Sequence, residues 1–106
     1  MKIAIKIPIN HKGLRQIKVC RRAYGSYTLY RRNIWGYWIM MPIQEYTDVI
    51  SHFQYTGKLI VSMMNDIHAR EWGAWFKEEE NARMIARLWI EYKRDIKKGF
   101  KKGALS

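Results

Sequence analysis

Residues 20–42 read CRRAYGSYTLYRRNIWGYWIMMP. The stretch holds four arginines (Arg21, Arg22, Arg31, Arg32), four tyrosines (Tyr24, Tyr27, Tyr30, Tyr37) and two tryptophans (Trp35, Trp38), with no acidic residue. Alternation organises its middle. In an extended chain Tyr27, Leu29 and Arg31 fall on one side and Thr28, Tyr30 and Arg32 on the other. A strand is therefore expected over residues 27–32. Gly25 and Ser26 make the turn before it, and Asn33 is a turn candidate after it. Residues 34–41, IWGYWIMM, are dense in β-formers and are expected as the next strand. Gly36 inside that run marks a bulge or a close backbone approach.

Towards the N-terminus, residues 14–23 extend the pattern. Ile17, Val19 and Ala23 share a face with Arg15 and Arg21, while Gln16, Lys18, Cys20 and Arg22 share the other with Leu14. Residues 2–9, KIAIKIPI, alternate strictly and predict a half-buried strand. Pro8 has no N–H for a ladder, which suits an edge strand or a strand end. Asn10 to Gly13 reads as the connecting turn. Residues 2–41 thus predict an antiparallel meander of three to four strands.

Towards the C-terminus the period changes. Pro42 suits the first turn of a helix. Ile43, Tyr46, Val49, Ile50 and Phe53 recur at helical spacing through residue 56, and Gly57 suits the residue beyond. Residues 58–63, KLIVSM, read as a short strand, although such a run fits a buried helical turn as well. Asn65 or Asp66 is placed to cap a helix over residues 66–76, with Ile67, Trp72, Trp75 and Phe76 as its apolar stripe. Gly73 inside it costs about 1 kcal/mol against alanine, so a bend or break is expected there. Glu78, Glu79 and Glu80 suit the first turn of a last helix that runs to residue 98. Ile85, Leu88, Trp89, Tyr92 and Ile96 line one face of it. Glu79 with Arg83 and Arg87 with Glu91 are i,i+4 pairs. Gly99 reads as its stop. The expected fold is α+β: the meander, a helix, a short strand, and one or two C-terminal helices packed on the sheet. Residues 1–98 are read as one domain and 99–106 as a frayed basic tail.

The chain has 106 residues and a formal net charge of +11. Roughly two-thirds of the unfolded surface should be buried at this length, enough for a core without disulfides. Residues 1–44 carry nine lysines or arginines and no acid. A one-sign field of that length attracts polyanions. Cys20 is the single cysteine, so an internal disulfide is excluded. The N-terminus alternates lysine and isoleucine, unlike a signal peptide, and the longest nearly apolar run, Ile34 to Ile43, is too short to span a bilayer. A cytoplasmic location without a membrane partner is the expectation.

Arginine interleaved with aromatics is the chemistry of a surface that holds phosphates and stacks bases. The candidate nucleic-acid contacts are Lys18, Arg21, Arg22, Arg31 and Arg32, with Tyr30, Trp35, Tyr37 and Trp38 as stacking or buttressing rings. Because one sheet face must pack on the helices, the outward face of the third and fourth strands is the place to look, with Arg31 and Arg32 beside Trp35, Tyr37 or Trp38. A second basic patch comprises Lys93, Arg94, Lys97 and Lys98. A charge run at a helix end is commonly a solvated terminus, unless the fold brings it beside the arginines.

Enzymatic readings find little support. His68 and Glu71 lie i,i+3 on the expected helix and His52 could join them, but a boundary histidine is the simpler reading; no metal or cofactor is expected. Glu91-Tyr92-Lys93 is an E-x-K string placed on a helix, where its two charges point apart. Thr56-Gly57-Lys58 lacks the rest of a phosphate loop, and no G-x-S-x-G elbow exists. An RRM-like string at residues 35–39 has Trp38 where a small residue belongs, and zinc-finger, zipper and KH signatures are absent. The expectation is a small non-enzymatic nucleic-acid-binding protein. The alternative is an accessory protein of the phage type that docks on an acidic host protein, such as a nucleic-acid-processing enzyme, through a tryptophan- and methionine-rich surface. A strand edge near Pro8 leaves pairing of two copies into a homodimer open.

Overall fold

A computed structural model describes residues 3–5, 16–69 and 73–103 of the chain, with side chains over 16–69 and 73–98. The meander forms. Strands β1 (Ile3–Ile5), β2 (Ile17–Arg21), β3 (Tyr27–Arg32) and β4 (Trp38–Met40) pair antiparallel in sequence order, with β1 at one edge. Val19 sits opposite Leu29, Ile17 opposite Arg31, and Arg31 opposite Ile39. This register gathers Ile17, Val19 and Leu29 on one face, where all three are buried. Pro8 and the 10–13 turn lie outside the described residues.

The two hairpin turns flanking β3 share one construction. In the first, Gly25 N–H donates to Arg22 O (3.1 Å) and Arg22 N–H to Ser26 O (2.6 Å). In the second, Gly36 N–H donates to Asn33 O (3.0 Å) and Asn33 N–H to Tyr37 O (2.9 Å). Each loop closes through a glycine at positive φ, 77° at Gly25 and 86° at Gly36, as in a type I turn with a G1 bulge. Residues 34–37 are therefore turn, and the strand expected over 34–41 shrinks to Trp38–Met40. Asn33 decides this: its Oδ1 accepts from Trp35 N (2.9 Å) and Tyr37 N (3.0 Å), a local alternative to a ladder.

After the sheet come α1 (Ile43–Phe53) and a short α2 (Val61–Asn65). Pro42 precedes the first helical residue in extended conformation. Helix α1 ends three residues short of the expected position, where Thr56 Oγ1 donates back to Phe53 O (2.8 Å). The strand read over 58–63 is absent: Met63 points into the core from a helical turn. The helix read over 66–76 is absent too. Its described parts are two short paired strands, β5 (His68–Ala69) and β6 (Ala74–Trp75). Long-range bonds take over here. Thr28 Oγ1 donates to Ala74 O (2.6 Å), and Tyr27 and Phe76 exchange backbone bonds of 2.8 and 2.7 Å. Two backbone bonds and a buried hydroxyl outweigh a weak helical preference broken by glycine.

The last helix, α3 (Glu79–Gly103), runs through Gly99, which does not stop it. One mid-helix glycine costs about 1 kcal/mol and ends a helix only where the chain turns away. Asp66 caps α3 rather than a helix of its own. Its carboxylate accepts from Lys77 N, Glu78 N and Asn81 Nδ2 at 2.9–3.1 Å. Burial pushes its pKa up, but the bonds from Asn81, Glu78 and Lys77, with His68 nearby, outweigh that and hold it below the usual carboxylate range. Helix α3 lies on β2 and β3 through Ala82, Ile85, Ala86 and Trp89, and α1 adds Tyr46, Val49 and Phe53 to the same core. Arg83 pairs with Glu79 as expected, whereas Glu91 pairs with Lys58 of the α1–α2 loop instead of Arg87.

Candidate functional site

Helical spacing builds one wall of a groove. Ile90, Lys93, Arg94 and Lys97 are i, i+3, i+4 and i+7 on α3 and so share a face. That face looks across at the C-terminal end of β3 and the turn after it. Gln16, Arg31, Arg32, Asn33 and Ile34 supply the opposite wall, and Trp89 lines the groove beside Ile90. The groove is open and encloses about 850 Å³. Among the described residues, five cations line it and no acid does.

One of the five is already neutralised. Arg31 lies on the Leu29 side of β3, facing the helices, and not on the outward side where it was sought. Its Nε donates to Glu45 Oε2 (2.9 Å), its Nη2 donates to the same oxygen, and Trp89 Nε1 donates to Glu45 Oε1 (2.8 Å). The arginine and glutamate side chains are 20% and 13% exposed. Arg31 thus forms part of the groove while its charge is spent on α1. Among the described residues, none of Lys93, Arg94 and Lys97 pairs with a carboxylate; Lys93 instead sits 5.5 Å from the Trp89 ring centre. Lys98 is exposed on the same helix but does not line the groove.

Arg32 occupies the rim. Its Nη1 donates to Gly36 O (3.0 Å), and its guanidinium lies 4.6 Å from the Trp38 ring centre. Lys18 lies 4.3 Å from the same ring. Trp38 is therefore a cation–π platform on the outward face, where Lys18 also faces half-buried Tyr30 across the β2–β3 ladder. Trp35 and Tyr37 belong to the turn and are exposed.

Arg21 and Arg22 are at the opposite end of β3, about 17 Å away at ordinary strand rise. Arg21 is exposed there. Arg22 lies 5.7 Å from the Trp75 ring centre, in a second recess of about 380 Å³ with Tyr24, Gly25, Ser26 and Lys77. The four arginines therefore split into two pairs, and only Arg31 and Arg32 meet the C-terminal basic patch.

Asn33 and Ile34 in the groove wall, and Tyr24, Trp75 and Lys77 in the second recess, were not among the sequence candidates. The x-[Tyr/Trp]-Gly string at 23–25 and 34–36 is the signal that would have marked both turns. The histidines have other partners. His68 stacks on Trp75 with ring centres 4.1 Å apart, and His52 Nε2 is 3.0 Å from Asp95 Oδ2, whose carboxyl this contact holds below its ordinary range. Glu71 lies outside the described residues. Among those described, no group of three or more histidine, cysteine or acidic side chains gathers around a metal-sized space, and no helix is long and apolar enough to cross a membrane. Comparison of the chain with protein-family models, with curated proteins and with solved structures gave no match.

Proposed function

We propose that this protein binds nucleic acid in the groove between α3 and the β3–β4 turn, holding the backbone by charge and performing no chemistry on it. One observation carries the reading. Two basic segments far apart in the chain, Arg31–Arg32 and Lys93–Lys97, converge on a single groove that no acidic side chain lines among the described residues. A helix end that only needed solvation would have no reason to face a second basic element. Arg94 offers a planar fork suited to phosphate, and Lys93 and Lys97 offer point charges on either side of it.

With Arg31 neutralised and Arg32 engaged with Gly36 O and Trp38, Lys93, Arg94 and Lys97 are the cations counted on to meet phosphates. That predicts a log–log salt slope of about −2 to −3. Binding of labelled oligonucleotides across a salt series tests it. The double variant Arg94→Glu, Lys97→Glu should flatten the slope by roughly two and weaken binding by at least about tenfold at low salt. Unchanged binding in that variant, or a slope near zero in the parent, would sink the proposal. A second reading, docking on an acidic protein surface, draws support from the exposed Ile34, Trp35 and Tyr37 beside the cations. A stoichiometric partner that survives nuclease treatment of a lysate, and is lost on the same charge reversal, would favour it.

A further inference from the structure

Three side chains at the β3–β4 turn stand out from the fold. Ile34, Trp35 and Tyr37 are 89%, 74% and 71% exposed. The turn beneath them is firmly built. Asn33 Oδ1 holds the backbone N–H of both Trp35 and Tyr37, Arg32 grips Gly36 O, and Gly36 supplies the one positive φ the loop needs. The rings are thus presented on a fixed support. Asn33 and Ile34 of this turn line the basic groove, so an aromatic surface and a phosphate-binding surface adjoin.

That adjacency bears on strandedness. In a duplex, both faces of every internal base are covered by neighbouring pairs, and a protruding indole meets only edges and sugar. In a single strand, base faces are available, and aromatic stacking beside a cationic track is how such strands are held without reading sequence. Trp38 is not the ring for this task, since Lys18 and Arg32 already lie over it. A neutral apolar partner would explain the tip but not Arg94 and Lys97 next to it, which pair with no carboxylate among the described residues.

We infer, resting on the nucleic-acid reading above, that the ligand of the groove is a single strand, with phosphates against Arg94 and Lys97 and an unpaired base stacked on Trp35. Anisotropy of a labelled oligothymidylate, and of the same strand annealed to oligoadenylate, tests this with the parent protein, Trp35→Ala, Trp35→Phe and Arg94→Glu. The parent should prefer the single strand. Trp35→Ala should weaken single-strand binding about tenfold and duplex binding about twofold or less, while Trp35→Phe recovers most of the loss. Arg94→Glu should weaken both. Trp35 packs on little, so these variants should keep the parent's circular dichroism. Equal or tighter duplex binding, or a Trp35→Ala variant indistinguishable from the parent on the single strand, overturns the strandedness while leaving the Arg94-dependent groove intact. Absence of binding to both probes, or indifference to Arg94→Glu, overturns the groove reading itself. Loss of binding to phosphatidylserine vesicles in Trp35→Ala, with oligonucleotide binding unchanged, assigns the tip to a membrane surface and also refutes the inference.

Discussion

Glu45→Gln removes one negative charge from beneath the basic groove, and it should move stability and binding in opposite directions. Glu45 accepts hydrogen bonds from Arg31 on β3 and Trp89 on α3 while standing on α1. The amide oxygen of glutamine can still serve one of these donors. The guanidinium of Arg31, 20% exposed, then loses its countercharge. Breaking a fully buried pair costs 3–5 kcal/mol, but here the open groove lets water reach Arg31, so about 2 kcal/mol is the reasonable figure. In a domain near 100 residues that lowers Tm by about 10 °C. The same change returns a cation to the groove. An added phosphate contact at 4 Å in water is worth about 1 kcal/mol, or about fivefold in affinity at low salt, and should steepen the salt slope by about 0.7–0.9. Thermal melting by circular dichroism gives the first quantity, and oligonucleotide anisotropy across a salt series gives the second. A variant that melts lower and also binds more weakly would refute the reasoning, because Arg31 would then be a positioned contact that needs Glu45 and not a cation held in reserve. An unchanged Tm would show that the pair adds nothing to the fold.

Asp66→Asn should destabilise the fold by about 2 kcal/mol, since a charged cap is replaced by a neutral group that meets fewer of the same donors. Hydrogen bonds hold the folded pKa of Asp66 below the ordinary carboxylate value, so its contribution is present above that ordinary value and is lost as pH falls through the folded one. Acid titration of stability, followed by circular dichroism, should therefore be shallower below about pH 4 in Asp66→Asn than in the parent. Ile85→Ala should cost about 2–5 kcal/mol in urea unfolding, because Ile85 is fully buried between α3 and the sheet, whereas Ile34→Ala at the exposed turn should change stability by about 0.5 kcal/mol or less.

Where structure follows from short-range pattern, the sequence was a sufficient guide. Strand β3 has the bounds that alternation predicts, 27–32, and the α3 stripe of Ile85, Leu88 and Trp89 is buried as its spacing requires. The failures share a cause. Ile34 to Tyr37 are β-formers by composition, but two bonds to the Asn33 side chain make them a turn. The helical pattern over 66–76 is local, whereas Ala74 and Phe76 are held by Thr28 and Tyr27, and Asp66 by Asn81 of α3. The cap residue Asp66 was legible as a cap; its helix was not, because it begins beyond the β5–β6 hairpin. Alternation alone already placed Arg31 with Leu29, and so on the helix side, once Leu29 was taken as core. That Arg94 and Lys97 would stand across from Arg32 depends on how α3 lies on the sheet, and no local pattern contains that.

The Asp66 carboxylate also bears on how the chain folds. The start of the longest helix donates its hydrogen bonds to a residue on the far side of the β5–β6 pair. Its starting point is thus set by the closure of a loop. Asp66 must come together with Lys77, Glu78 and Asn81, or the helix start is left unanchored. Since β6 in turn hangs on β3 through Thr28 and Tyr27, the end of the sheet and the beginning of the helix are joined in a single cooperative step.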